Sequence, residues 1–316
     1  MLPNEEHISA IMDHAEAGRA ADVARLIARG AVDPKRISLA LYLAADNGHV
    51  ECVRLLAGVS KEDGDAYLAL GRAALHGHAE CVELLIPISR SKKKNSDALW
   101  GAAQNGHARC VELLISASNP KADDSEALRV ASENGHVECV KLLIPVSDPS
   151  ASSAAALHDA ILCDNAECVE LLLPVSNIEA NISSLMAAAA RFGRAELLAR
   201  LLPVSTCVEE RSHALRLAAE NGQARCVELL IPVSAPLAEC LSIAASVIAR
   251  GNAKILSIML SHEPCLLDGV DLPHLLATST ANGHSEVAQL LTSLIERLAL
   301  LASTSSAGPQ SCSPRL

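Results

Sequence analysis

The chain has 316 residues, half of them hydrophobic but only four aromatic (Tyr42, Tyr67, Trp100 and Phe192), so what it buries is mostly Ala, Leu, Val, Ile and Cys, side chains that suit thin layers of close helices. A formal charge of -11 opposes the broad basic surface that nucleic-acid phosphates or anionic lipid would require. The opening MLPNEEHISAIMDH lacks the basic start and apolar stretch of a secretory signal, and no uncharged apolar run reaches membrane-spanning length, so neither nucleic acid nor membrane is expected as a partner.

Reading from the N-terminus, Gly18-Arg19 is followed by Val23-Ala24-Arg25-Leu26-Ile27, and the place of Val23 recurs at Cys52, Cys81, Cys110, Cys139, Cys168, Leu197, Cys226, Ile255 and Val287. The interval is 29 residues eight times and then 32. A fixed period of this size is the mark of a solenoid, in which each unit buries its face against its neighbours. Ten units are placed near 5–33, 37–61, 66–90, 95–119, 124–148, 153–177, 182–206, 211–235, 238–268 and 270–300. They make one repeat array over residues 1–301, and 302–316, ASTSSAGPQSCSPRL, reads as a disordered tail.

Within a unit, Ser125 is the expected N-cap of a first helix whose stripe of small residues is Ala127, Leu128, Ala131 and Ser132. Asn134-Gly135 breaks that helix, because Gly tolerates the left-handed C-cap, and a second helix starts near His136 and runs through Ile144. Proline then stops it, at Pro145 and again at Pro87, Pro174, Pro203 and Pro232, on the way to the next expected serine cap at Ser96, Ser183 or Ser212. The predicted fold class is all-α.

The paired alanines Ala44-Ala45, Ala73-Ala74, Ala102-Ala103 and Ala218-Ala219, the NGH or HGH turn, and V-x-L-L recur together in that order over roughly residues 5–300. This pattern resembles the ankyrin repeat, in a short 29-residue variety similar to that of some bacterial proteins. The resemblance implies an ankyrin-like α-solenoid of about ten stacked helix-turn-helix units. No unit carries the TPLH opening and each is about four residues short, so the β-hairpin fingers are expected to be short or absent.

Chemistry-bearing patterns are few. His and Cys three apart recur as His49/Cys52, His78/Cys81, His107/Cys110 and His136/Cys139, which offers metal donors, but tetrahedral zinc gathers four donors at about 2.3 Å while equivalent helices lie about 8–10 Å apart. Each turn thus offers only two, and these residues read as a turn histidine and a small core cysteine. The same separation keeps the cysteine ladder unbridged, which fits a reducing cytoplasm, and leaves Cys207, Cys265 and above all Cys312 as the less constrained thiols. No phosphate loop, nucleophile elbow, zincin helix or CxxC pair occurs, and Glu51, Glu80, Glu138 and Glu167 read as solvated charges on a helix dipole. No cofactor, metal or catalytic residue is assigned.

The surface that varies against this frame lies on the first helices, at positions ten and six residues before the cysteine register, roughly opposite the buried stripe. The first series is Tyr42, Gly71, Trp100, Arg129, His158, Ala187 and Arg216; the second is Asp46, Leu75, Gln104, Glu133, Leu162, Arg191 and Glu220. The resemblance implies that these line a concave, partner-facing strip, with Trp100 and Arg129 as anchors because Trp and Arg dominate binding hot spots. The implied function is that of a monomeric, cytoplasmic interaction scaffold that binds another protein or peptide. A bacterial effector delivered into a host cell and binding host proteins in the same way is the alternative, and an enzyme or metal protein using the His/Cys ladder is the third. The basic run Arg90-Ser91-Lys92-Lys93-Lys94 reads as a solvated loop ahead of Ser96.

Overall fold

The computed structural model describes residues 5–30, 33–60, 66–234, 237–262, 266–267 and 270–305. Among these residues the chain forms α-helices and two short 3₁₀ turns, with no strand, so the fingers of the expected fold are absent there. Two compact units divide it, Met1–Asn181 and Ile182–Leu316.

Unit 1 contains six helix pairs. They are α1 (Glu5–Glu16) with α2 (Ala20–Ala28), α3 (Pro34–Asp46) with α4 (Val50–Val59), and α5 (Ala66–Leu75) with α6 (Ala79–Leu85). These are followed by α7 (Lys92–Gln104) with α8 (Ala108–Ile115), α9 (Ala122–Glu133) with α10 (Val137–Leu143), and α11 (Ala151–Leu162) with α12 (Ala166–Leu172). Odd-numbered first helices pack in one layer and even-numbered second helices in another, and the first helices meet their neighbours more extensively. The core is the periodic set predicted: the alanine pairs Ala44-Ala45, Ala73-Ala74 and Ala102-Ala103, the leucines Leu56, Leu85, Leu114 and Leu143, and Cys52, Cys81, Cys110 and Cys139 are all at most 1% exposed. Alanine is what lets the first helices approach so closely.

Units are stitched by a device that the sequence reading missed. The turn glycines Gly48, Gly77 and Gly106 have φ between 72 and 77°, which only glycine adopts without cost. A Cβ on any of them would lie 2.6 Å from Nδ1 of His78, His107 or His136 of the following unit, so each imidazole rests on a bare glycine. From there Nε2–H donates to a carbonyl of the preceding first helix: His78 to Asp46 O at 3.1 Å, His107 to Leu75 O and His136 to Gln104 O at 3.0 Å. The turn histidine is therefore an inter-unit staple that satisfies a carbonyl left over at a helix C-terminus. Asn165 replaces it in the next unit, donating from Nδ2 to Ser132 O and Glu133 O.

Unit 2 holds the remainder of α13 (Ile178–Arg191), α14 (Ala195–Leu201), α15 (Val208–Glu220), α16 (Ala224–Leu230), α17 (Leu237–Ala249), α18 (Ala253–His262), α19 (Leu272–Ala281) and α20 (Ser285–Ser305). Gln223 and His284 play the stapling part here, to Arg191 O and Ala249 O. Helix α20 runs four residues into the segment read as a tail, and 306–316 lie outside the described residues, as do Cys265 and Cys312.

The serine caps were misplaced. Helix α7 starts at Lys92 with Ser91 as its cap, so Lys92–Lys94 form its first turn and not a loop. Ser183 and Ser212 likewise fall inside α13 and α15. Ser96 and Ser125 are buried, and each accepts a hydrogen bond from the loop that ends its own unit, Asn119 N at 3.1 Å and Asp148 N at 2.9 Å. A serine that fixes a neighbouring loop has the same sequence signature as an N-cap. Ser125 also belongs to a left-handed turn, Asp123–Ser125, which recurs at Ser152–Ala154.

Candidate functional site

None of the twelve expected partner-facing residues is buried. Tyr42, Asp46, Leu75, Gln104, Arg129, Glu133, His158, Leu162 and Glu220 are half-buried, and Trp100, Arg191 and Arg216 are exposed. Arg191, Arg216 and Glu220 belong to unit 2, and the other nine to unit 1.

In unit 1 the structure gathers some of them and not others. Tyr42, Tyr67, Leu68, Gly71, Arg72, Leu75, Lys94, Asp97, Trp100 and Gly101 line one groove of about 280 Å³ across α3, α5 and α7. It continues over α3 through Lys35, Ser38 and Leu39. Leu39 and Leu68, at 47% and 44% exposed, are the apolar lips, and Trp100, at 36%, closes the other end. Gly71 forms the floor: a Cβ built there meets nothing within 4 Å. Gly101 is different, since its Cβ would touch Leu75 Cδ1 at 3.4 Å.

Cations sit on the aromatic faces. The Lys94 ammonium lies 4.0 Å from the centroid of Tyr67, and the Arg72 guanidinium 5.7 Å from that of Tyr42. Arg72 Nε also donates to Asp46 Oδ1 at 2.6 Å, which pushes the guanidinium pKa still higher, and His76 Nε2 lies 3.1 Å from the same oxygen. Asp46 is thereby committed to holding α5 against α3.

Arg129 is committed as well. It forks onto Glu126 at 2.5 and 2.7 Å, reaches Asp159 on α11 at 2.6 Å and lies 3.4 Å from Glu133. The bond to Glu126 first, and that to Asp159 next, raise its pKa. Arg129, with Glu126 and Glu133 on its own helix, thus clamps α9 to Asp159 of α11, while Trp100, Leu39 and Leu68 leave apolar surface exposed. Those leucines, with Asp97 and Glu126, stand thirteen residues before the cysteine register, three before the series of Tyr42 and Trp100, and so on the same face one turn earlier. Leucines lying off the buried stripe were the signal that would have found them.

The His/Cys ladder offers no metal geometry: among the described residues no three His, Cys, Asp or Glu side chains converge. The histidines are used as staples. Burial pushes the thiols of Cys81, Cys110, Cys139 and Cys226 up to about 11, keeping them protonated at neutral pH. The nine described cysteines are unbridged, and Cys163 is the exposed one. Glu51, Glu80, Glu138 and Glu167 are solvent-exposed in the first turns of their helices.

A family model for ankyrin repeats (3 copies) matches residues 11–98, 99–184 and 157–239. The chain belongs to the ankyrin repeat family. The 29-residue spacing makes its ankyrin units short ones, and the missing length falls in the fingers that the described residues lack. Ankyrin repeats generally mediate protein–protein interaction and are typically non-enzymatic scaffolds. A search of curated proteins gives no match. No described helix is long and apolar enough to cross a membrane.

Proposed function

We propose that unit 1 binds a partner protein through the groove on its first-helix layer, the more closely packed and hence inner layer of the stack. One observation carries this reading: three of the chain's four aromatic side chains, Tyr42, Tyr67 and Trp100, line that single groove. In a chain so poor in aromatics, a core-building role would distribute them or bury them. Instead they stand part-exposed beside Leu39 and Leu68, the kind of rigid, amphipathic anchors on which binding energy concentrates. An exposed apolar strip on an otherwise polar surface marks an interaction site. Gln104, Arg129, Glu133, His158 and Leu162 extend the strip along α7, α9 and α11 as its mostly polar margin.

The test is affinity capture with the intact chain beside a Leu68→Ala, Trp100→Ala variant and an Arg216→Ala control, all shown by circular dichroism to be equally helical. A protein retained by the intact chain and the control but lost by the groove variant supports the proposal. Equal retention by all three sinks it.

A further inference from the structure

We infer that the partner segment seated in this groove is acidic: a short peptide stretch with two or more apolar anchors flanked by Asp or Glu. This rests on the groove being the binding surface and names the chemistry of its occupant. Helices α3, α5 and α7 carry six basic residues, Lys35, Arg36, Arg72, Lys92, Lys93 and Lys94, against two acidic ones, Asp46 and Asp97, in a chain whose net charge is -11. The basic residues are thus concentrated where the apolar groove is.

Arg72 joins α5 to α3 through Asp46, but the placement of the other five runs against helix electrostatics. Lys92–Lys94 occupy the first turn of α7, and Lys35 and Arg36 follow Pro34 in the first turn of α3, where the helix dipole is positive and disfavours cations. Glu51, Glu80, Glu138, Glu167, Glu196 and Glu209 stand in the first turns of other helices, and α8, α16 and α18 carry one cation each there, Arg109, Arg225 and Lys254. Among the described helices, the two that crowd two or three cations into the first turn are the two that border this groove, which points to what the groove receives.

The field also has an end. Beyond Trp100 a second hollow is lined by Asp97, Asp123 and Glu126, with no cation among its walls. An acidic segment is attracted over α3 to α7 and repelled from the α7–α9 hollow, so its carboxylates fall on the side of Lys35, Arg72 and Lys94 and its apolar anchors beside Leu39, Leu68 and Trp100.

Because Trp100 is the chain's single tryptophan, its emission reports occupancy of the groove directly. The experiment selects a Trp-free random twelve-residue peptide library, displayed on phage, on the immobilised full chain, then titrates the enriched peptides against Trp100 emission. The expected result is net-negative peptides with apolar anchors, which shift that emission and weaken about tenfold at raised salt or in a Lys92→Glu, Lys93→Glu variant. Neutral or basic peptides that move Trp100 emission would overturn the acidic partner and leave the groove standing. Peptides that bind without affecting Trp100, or no enrichment at all, would overturn this inference, and the groove itself is then judged by capture with the Leu68→Ala, Trp100→Ala chain.

Discussion

Substituting Gly71→Ala separates what the groove does for binding from what it does for stability. Gly71 lies inside α5 with an ordinary helical φ, and a Cβ there meets no atom within 4 Å. Nothing in the packing requires glycine, so alanine removes the backbone-entropy penalty and stabilises by about 0.5–1 kcal/mol. In a unit of this size that corresponds to a rise in Tm of about 2–4 °C. The added methyl stands on the groove floor between Tyr42 and Trp100, so the same change weakens a partner whose anchor reaches that floor. Thermal unfolding by circular dichroism gives the first quantity and titration of a groove-binding peptide the second. A lower Tm would show that the glycine is a packing requirement and refute the reasoning, and a higher Tm with unchanged binding would show that the floor is not contacted.

Gly77→Ala is expected to destabilise by about 2–3 kcal/mol, from its left-handed φ and loss of the His107 staple; urea unfolding of a double-mutant cycle with His107→Ala should show that the second change recovers part of the loss, and strict additivity would contradict the staple. The buried thiols make the array alkali-sensitive. Their folded pKa of about 11 lies above the ordinary value of about 8.5, so their contribution is fully present below pH 8.5 and is lost as pH rises through 11, by about 1–2 kcal/mol per thiol at pH 10. A urea midpoint that does not fall between pH 8 and 10, or falls as steeply in a Cys110→Ala, Cys139→Ala variant, would count against this. Ser153→Gly relieves an exposed left-handed residue in the first turn of α11 and should stabilise by about 0.5–1 kcal/mol in the same assay. Lys92→Glu should add about 0.3–1 kcal/mol by restoring the sense of the α7 dipole, while weakening an acidic peptide.

The frame of this protein was legible because every core position is repeated: Cys81, Leu85 and Ala73-Ala74 do in one unit what Cys110, Leu114 and Ala102-Ala103 do in the next, and a period of that kind is visible without any structure. What was not legible is chemistry between positions far apart in the chain. His107 resembles a residue of its own turn until the structure shows it lying on Gly77 and donating to Leu75 O. Ser96 resembles a helix cap until Asn119 N is seen bonded to it. Arg129 looked like a free anchor because its partners, Glu126 and Asp159, are three and thirty residues away, and only the second layer of contacts shows that it is spent on joining α9 to α11. The candidate site was half legible: Tyr42, Leu75 and Trp100 follow from helical periodicity, whereas Leu39 and Leu68 are apolar residues in a place that periodicity assigns to solvent.

That last mismatch generalises. Within α3, α5 and α7 four local rules are broken: leucines face water at Leu39 and Leu68, a glycine without neighbours interrupts α5 at Gly71, lysines crowd the positive end of α7, and the chain's only tryptophan is left part-exposed. The glycine and the misplaced lysines each cost about 0.5–1 kcal/mol of stability. Scattered over the molecule they would be ordinary imperfections of a marginally stable protein. They converge instead on one groove of about 280 Å³, while α9 and α11, built on the same period, are joined by the Arg129–Asp159 pair and keep their first turns free of cations. A repeat fold offers the same solution at every step, so a step that gives up stability in several independent ways at once is the place to expect a second requirement, and the apolar lips and basic margin of the groove support the proposal that this requirement is the accommodation of another chain.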